Sequence, residues 1–311
     1  MIKELNIGNI KIPIPIVQGG MAVRISTAPL AAAVANEGGL GVIAGTGMSL
    51  QELRQEIRKA RELSQGVIGV NVLFAVNKFA QLVKTAIAEK VDFIISGAGI
   101  SRDMYRWGRE GGVSILPIVS SGRLARMAEK FGAAGIIVEG KEAGGHLGTE
   151  QPLKKILPEV KSMVNLPVIA AGGMVDAQDI REILDLGADG VQLGTRFAAS
   201  EESNASPEAK ELYVKAGSEE VDLLPSPVGL PGRGIVNAFA RSIMGNGKLE
   251  IENCYKCLKQ CSKKYCIMVA LNNAHAGGDY SKALIFSGAG VGKIKEILSV
   301  KEIFKELKTA F

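Results

Sequence analysis

Residues 166–196, LPVIAAGGMVDAQDIREILDLGADGVQLGTR, decide the fold. The apolar run 168–171 predicts a parallel strand covered on both faces, and 190–193 predicts the next one. Between them, Asp176 is a natural N-cap and Gly187 a natural C-terminal stop for a helix with apolar residues at helical spacing. The stretch is therefore a complete strand–loop–helix–strand unit of a parallel α/β protein.

The two loops of this unit have the composition of a phosphate site. Gly172 and Gly173 follow the first strand, and Gly194, Thr195 and Arg196 follow the second. Glycine lets backbone N–H groups approach an anion closely, and the hydroxyl and guanidinium of the second loop add donors. TIM barrels hold a cofactor phosphate in this way after strands seven and eight. A pair of ordinary βα turns, which also favour glycine, is the alternative interpretation.

Six apolar segments precede this unit and alternate with helical segments. Strands are expected at 14–17, 41–45, 68–72, 93–99, 114–119 and 134–139, and helices at 28–36, 49–63, 78–89, 102–110 and 124–131. Eight short strands alternating with helices predict a (β/α)₈ TIM barrel, which we place at residues 1–199.

The alternation stops after the eighth strand. Residues 200–290 contain prolines and helical pieces without a clear period, and they are expected to form a helical elaboration that covers the barrel mouth. Residues 291–311 close the chain. Their apolar residues predict an amphipathic helix over 291–307 that packs on the barrel.

Composition limits the classes of function. The 311 residues carry a formal net charge of +5, from 37 Lys+Arg and 32 Asp+Glu. No long basic run is interleaved with aromatic residues, so nucleic-acid binding has little support. Neither a signal peptide nor a long apolar span is visible, so we expect a cytoplasmic protein that is not bound to a membrane. A small molecule is the expected substrate, and a homodimer is the expected assembly.

Residues at the carboxyl ends of the strands form the active site of a TIM barrel. Position alone nominates Gly20, Met21, Asn71, Ser96, Gly97, Ser120, Glu139, His146, Gly173, Gly194 and Thr195. Glycine, serine and asparagine are also ordinary turn residues, which is the alternative interpretation for any one of them.

His146 is one of two histidines, and it follows two glycines after the sixth strand. An imidazole at that place is suited to proton transfer, because its unperturbed pKa lies near working pH. A loop histidine held by a structural hydrogen bond is the alternative. The second histidine, His275, lies in the elaboration and is expected to be structural.

The four cysteines all lie between positions 254 and 266. Cys254, Cys257, Cys261 and Cys266 are separated by two, three and four residues, and such a concentration fits a zinc or iron–sulfur site. The spacing matches neither standard ferredoxin runs nor paired zinc knuckles. Partly buried free thiols in a helical segment are the alternative.

Six motifs in one order resemble the FMN-dependent nitronate monooxygenase family, formerly 2-nitropropane dioxygenases, which includes the flavin-dependent enoyl-acyl-carrier-protein reductases of the second type. The motifs are IPIPIVQGGM, GVNVLF, IISGAG, VEGKEAGGHLG, LPVIAAGGM and VQLGTRF. The resemblance implies a non-covalent FMN and His146 as the catalytic acid or base. It implies cofactor-binding residues at Gly20, Met21, Asn71, Glu139, Gly145, Gly172, Gly173, Gln192, Gly194 and Thr195, with the phosphate at the two loops already described.

The same resemblance implies the activity. Oxidation of alkyl nitronates is the family's most common assignment and the leading expectation. Reduction of an enoyl thioester, with NAD(P)H as the electron donor, is the alternative enzyme activity. A third interpretation is an electron-transfer module, in which an iron–sulfur cluster on the cysteines exchanges electrons with FMN. The cysteine cluster is a departure from the better known members of the family.

Overall fold

The computed structural model describes residues 2–245, 249–251 and 254–311. Eight parallel strands close into a barrel, with the order β10-β11-β3-β4-β5-β6-β7-β8, and this confirms the predicted TIM barrel. The strands in chain order are β1 (Leu5–Ile7), β2 (Ile10–Ile12), β3 (Ile16–Gln18), β4 (Leu40–Ala44), β5 (Val67–Asn71), β6 (Phe93–Ser96), β7 (Ser114–Val119), β8 (Ile136–Glu139), β9 (Gly145–His146), β10 (Val168–Ala171), β11 (Gly190–Leu193), β12 (Val221–Leu224) and β13 (Gly232–Ile235).

Helices follow most barrel strands and cover the outside of the barrel. They are α1 (Ala28–Asn36), α2 (Leu50–Leu63), α3 (Phe79–Ala88), α4 (Arg102–Gly111), α5 (Gly122–Phe131), α6 (Leu153–Met163), α7 (Ala177–Asp185), α8 (Thr195–Ala198), α9 (Pro207–Lys215), α10 (Ala238–Met244), α11 (Ile267–Asn272) and α12 (Val300–Leu307). Capping boxes explain where two of the helices begin. Ser49 and Glu52 form one on α2, and Asp176, the predicted N-cap, forms one with Asp179 on α7.

The barrel interior is filled by alternate residues of the strands. On β6, Phe93 and Ile95 point into this inner core, whereas Ile94 packs against the helices. An N-terminal hairpin, β1 with β2, adds Leu5, Ile7 and other fully buried side chains to the same inner core. Each such side chain stabilises the fold by about 1.5–3 kcal/mol. The hairpin therefore closes the amino-terminal end of the barrel and leaves the carboxyl-terminal end open.

The elaboration contains a sheet as well as helices, so the prediction of a helical elaboration was incomplete. β12 and β13 form an antiparallel hairpin, and β13 pairs in turn with β9 of the barrel loop. The connection between β12 and β13 reads PSPVGLP, and its prolines are incompatible with a helix interior. The pairing fixes the loop after β8, which carries His146, to the elaboration.

The predicted helix over 291–307 was too long. A single 3-10 turn at Val291–Lys293 is followed by extended chain, and the α-helix begins only at Val300. Ser299 caps it together with Glu302, which gives the helix a defined start at Val300, nine residues later than the apolar pattern suggested. The helix does pack on the barrel as expected, with the Phe304 and Phe197 ring centroids 5.9 Å apart.

Candidate active site at the barrel mouth

A cavity of about 820 Å³ lies at the carboxyl ends of the barrel strands, and the elaboration forms its outer wall. It brings together the catalytic histidine and all the cofactor-binding residues that the resemblance implied. These residues are Gly20, Met21, Asn71, Glu139, Gly145, His146, Gly172, Gly173, Gln192, Gly194 and Thr195. Gly97 and Ser120 also line the cavity, whereas Ser96 lies buried outside its lining. Arg196, which its position after the eighth strand suggested as a phosphate donor, is instead buried outside the cavity lining and donates to the Ala199 carbonyl at 2.7 Å. The sequence therefore located one site, although the role of each residue stays a prediction.

The two predicted phosphate loops lie side by side because β10 and β11 are neighbours in the barrel. Among the described groups, none accepts a hydrogen bond from the N–H of Gly172, Gly173, Gly194 or Thr195. Gly172 and Gly173 have φ values of 121° and 76°, a backbone conformation that favours glycine. The short helix α8 begins directly after the second loop, as in TIM barrels that bind phosphate. These free amides make the loops a suitable anion site.

Three polar side chains form the floor of the cavity, at the point where the apolar inner core stops. Asn71, Glu139 and Gln192 occupy the last inward-facing positions of β5, β8 and β11. The Oε1 atom of Gln192 is buried without a hydrogen-bond partner among the described residues. Burial raises the pKa of Glu139 to about 8, so its carboxyl group is mostly protonated at neutral pH and can donate as well as accept. The unpaired Gln192 oxygen can accept a hydrogen bond and the neutral Glu139 carboxyl group can donate one. The floor can therefore bind a heterocycle that carries both donors and acceptors.

The shifted pKa of Glu139 predicts a pH dependence of folding. The ordinary value is 4.5, so above that pH the folded protein keeps a proton that the unfolded chain has released. Stability should therefore fall as pH rises toward 8. Between pH 6.5 and 8 the loss is roughly 1.6 kcal/mol, because the slope of about 1.4 kcal/mol per pH unit declines as pH approaches the folded pKa. Urea unfolding at several pH values should show this decline in the wild type and a flatter profile in Glu139→Gln. If stability declined with pH equally in the two proteins, the pKa of Glu139 would not be raised in the folded state.

His146 lies in β9 on the cavity wall, and its ring is held on two sides. Its Nε2 atom is 2.7 Å from Oγ of Ser226, and its ring centroid is 5.1 Å from that of Phe286 in an edge-on arrangement. Burial lowers the pKa of His146 to about 4, so the imidazole is neutral at physiological pH. A neutral imidazole has one nitrogen that can accept a proton. The geometry therefore suits proton transfer inside the cavity.

Sequence reasoning missed part of the site that the elaboration supplies. Gly288 donates its N–H to Thr195 Oγ1 at 2.9 Å, and Ala289 donates to the Glu142 carbonyl at 2.9 Å. Gly290 lies so close to the Gly173 carbonyl that a Cβ atom would come within 2.2 Å of that oxygen. The sequence SGAGVGK at 287–293 has the small residues that such a contact requires, and this signal could have identified the segment.

The four cysteines do not form a metal centre in this structure. Within the described ranges, no three His, Cys, Asp or Glu side chains lie together in an arrangement that could hold a metal ion. Cys254 and Cys261 are exposed, and burial together with the neighbouring thiols raises the pKa of Cys257 to about 11. The zinc or iron–sulfur site therefore stays a prediction without structural support. The cysteine segment does contribute Leu258 and Gln260 to the cavity wall.

The sequence and the fold were compared with known proteins. The nitronate monooxygenase family profile matches residues 3–82 and 69–309. FabK from Thermotoga maritima is 37% identical with a TM-score of 0.86, covering 96% of this chain and 92% of that one. A nitroalkane oxidase from Streptomyces ansochromogenes is 27% identical with a TM-score of 0.80, covering 96% and 97%. A (3aS,4S,5R,7aS)-5-hydroxy-7a-methyl-1-oxo-octahydro-1H-indene-4-carboxyl-CoA dehydrogenase from Rhodococcus jostii is 30% identical, covering 76% of this chain and 66% of that relative.

The chain belongs to the nitronate monooxygenase family, since the family profile spans nearly the whole sequence. It is accordingly an oxidoreductase on a TIM barrel, in a family that uses a flavin. The resemblance inferred from the six motifs is thereby confirmed. No helix in the part of the chain that the structure describes is long and apolar enough to cross a membrane.

Proposed function

We propose that the protein is an FMN-dependent oxidoreductase that oxidises nitroalkanes or alkyl nitronates, with His146 as the group that moves the proton. The observation that carries the proposal is the single cavity that holds two loops of free amides, a polar floor and a neutral histidine. The membership of the nitronate monooxygenase family supports the substrate class.

The residues present fit FMN. The free N–H groups of Gly172, Gly173, Gly194 and Thr195 would bind its phosphate, and no G-x-G-x-x-G unit is present to bind the second phosphate of FAD. Asn71, Glu139 and Gln192 would bind the polar edge of the ring, because together they offer donors and an unpaired acceptor. When bound, FMN supplies an acceptor for a hydride or for single electrons.

His146 would accept the proton that leaves the substrate carbon. A neutral nitroalkane must lose a proton from the carbon next to nitrogen before it becomes a nitronate, and a neutral imidazole on the cavity wall can take that proton. Gly145 and Phe286 fix the backbone and the ring, so the base is held in place before the substrate binds. A substrate that enters as a preformed nitronate does not need this step.

Reduction of an enoyl thioester with NAD(P)H is the second candidate, and two observations favour it. FabK, an enoyl-acyl-carrier-protein reductase, shares 37% identity with this chain, and the Rhodococcus relative is named for a coenzyme A thioester. The cysteine segment also presents exposed lysines beside the cavity wall, and they would attract a phosphate-bearing carrier. These lysines are Lys256, Lys259, Lys263 and Lys264.

A substrate panel separates the two candidates. The purified holoenzyme is mixed with nitroethane, with ethyl nitronate under oxygen, and with a short enoyl thioester plus NADH or NADPH. We expect oxygen consumption with the two nitro compounds and little oxidation of NAD(P)H by the thioester. Turnover of the thioester alone would overturn the nitronate assignment and establish the second candidate.

A further inference from the structure

The cavity extends to the side of the barrel mouth that lies opposite the two phosphate loops. In the closed order of strands, β6 is four strands away from β11, and β5 is four strands away from β10. Because a barrel of eight strands closes on itself, residues that follow β5 and β6 face the phosphate loops across the mouth. We call this side the apolar lobe, and its main lining side chains are Val76, Ile100, Leu124, Met127, Leu230 and Leu258.

The apolar lobe has a lining that suits a hydrocarbon. Among the described residues that line it, only Ser120 and Gln260 have polar side chains, and neither is charged. The Ser120 hydroxyl already donates to the Gly148 carbonyl at 3.1 Å. The groups suited to a phosphate and a polar ring lie elsewhere, at the phosphate loops and the cavity floor. A ligand that buries apolar area against this lining is therefore favoured over a polar one.

The cysteine segment forms the outer wall of the apolar lobe. Leu258 pairs with Val76 in an antiparallel β-bridge, and both residues line the cavity. Asn77 holds this contact in place although it does not line the cavity itself. Its Nδ2 atom donates to the carbonyls of Lys256 at 2.6 Å and Leu258 at 3.1 Å. Its backbone N–H donates to the Cys257 carbonyl at 2.8 Å, so three hydrogen bonds from one residue fix the wall.

The opposite wall joins the apolar lobe to the candidate catalytic histidine. His146 Nε2 is 2.7 Å from Ser226 Oγ, and Leu147 donates its N–H to the Pro231 carbonyl at 2.9 Å. Leu230 lies in the short loop between these two contacts and lines the cavity. The lobe therefore begins beside the position where a substrate would meet His146.

We infer that the apolar lobe binds a hydrocarbon chain carried by the substrate, and that Asn77 is a positioning residue that holds its outer wall. The chain is attached to the reacting carbon, because the lobe begins beside His146. The preferred substrates are then nitroalkanes with four or more carbons rather than nitroethane. The identity of the reacting group rests on the proposed function, but binding of the chain can be measured without any turnover.

Straight-chain alcohols probe the lobe alone. Isothermal titration calorimetry of the purified holoenzyme with butan-1-ol, hexan-1-ol and octan-1-ol gives the affinity for each. We expect the affinity to rise by about fourfold for each methylene group that enters the lobe. An affinity that does not rise with chain length would overturn the inference.

Gly97→Val tests the location of the chain. Gly97 lines the cavity after β6, and apart from its chain neighbours the nearest atoms to an added Cβ belong to Ile118, at 3.4 Å, which is ordinary van der Waals contact. The valine should therefore fit and take up room, and should lower the affinity for octan-1-ol by roughly tenfold. The matched control is Gly245→Val, at an exposed position outside the lining where the nearest such atom is Ser242 O at 3.6 Å. The control should keep the wild-type affinity, and a Gly97→Val protein that also keeps it would overturn the inference.

Asn77→Ala tests the wall. Loss of the two side-chain hydrogen bonds should loosen the cysteine segment and lower the ratio of octan-1-ol to butan-1-ol affinity by roughly fivefold. Asn36→Ala is the matched control, because the Asn36 amide also donates to a carbonyl, that of Leu63 at 3.1 Å, but lies outside the cavity lining. It should leave the ratio unchanged. A wild-type ratio in Asn77→Ala would show that Asn77 does not position the wall.

A series of nitroalkanes separates this inference from the proposed function. With nitroethane, 1-nitrobutane and 1-nitrohexane, kcat/KM should rise by about the same factor per methylene group as the affinity for the alcohols. If the alcohols bind as expected but no nitroalkane is oxidised, the lobe stands and the proposed function fails. If nitroethane and 1-nitrohexane are oxidised with equal kcat/KM, the proposed function stands and the role of the lobe in substrate binding is wrong.

Discussion

The His146→Ala enzyme is expected to oxidise nitroethane about 10² to 10⁴ times more slowly than the wild type, which is the usual contribution of a positioned general base. The reason is that the neutral His146 ring lies on the cavity wall with Ser226 on Nε2. Steady-state oxygen consumption over a range of nitroethane concentrations measures the effect. The loss should appear in kcat as well as in kcat/KM, because the interaction is made in the transition state.

Two controls make this result specific. Ethyl nitronate has already lost the proton, so His146→Ala should oxidise it at a rate close to that of the wild type. His275→Ala should leave both activities unchanged, since within the described residues the His275 ring bonds only to the neighbouring carbonyl of Ala276. The flavin content of His146→Ala should also match the wild type. Equal rates with nitroethane in His146→Ala and the wild type would show that His146 is structural.

The Gly173→Val protein is expected to purify with little or no flavin. Gly173 has a φ of 76°, and a Cβ atom there would approach Glu142 Cβ at 2.9 Å. The larger side chain would push the loop after β10 away from Glu142 in the loop after β8, and this shift would displace the free amides that are expected to bind the phosphate. Flavin absorbance relative to protein absorbance measures the loss. Thr195→Ala in addition would remove the hydroxyl that holds Gly288 beside the loop.

Gly187→Val separates this effect from backbone strain. Gly187 has a φ of 96°, whereas that of Gly173 is 76°, but apart from its own chain neighbours no heavy atom of the described residues lies within 4 Å of its added Cβ position. Both variants should lose stability, by about 1–2 kcal/mol from the left-handed backbone conformation. Only Gly173→Val should lose the cofactor. A fully loaded Gly173→Val protein, or an equal loss in Gly187→Val, would contradict the phosphate assignment.

Local signals were sufficient to predict the barrel. The bounds of α1, β7, β10 and β11 agree with the prediction to the residue, because apolar runs, caps and stop signals act over a few neighbouring positions. The N-terminal hairpin was not predicted. Its strands have three residues each, which is too few for a period to be visible.

The cavity was predictable only in part. Barrel geometry places the ends of all eight strands at one mouth, so Asn71 and Glu139 could be grouped without a structure, and the family resemblance added Gln192. Ser226 could not, because its contact with His146 depends on the pairing of β13 with β9 across 80 residues. Near the C-terminus the local pattern predicted more regular structure than is present. An apolar pattern continued across 291–307, but Ser299 starts the helix later.

We expect this cavity to bind one FMN per chain through the loops after β10 and β11. The most direct measurement is mass spectrometry of the flavin released when the purified protein is denatured, together with its ratio to protein. We expect FMN in a ratio close to one. FAD, a covalently attached flavin, or a protein that binds no added FMN would contradict this expectation.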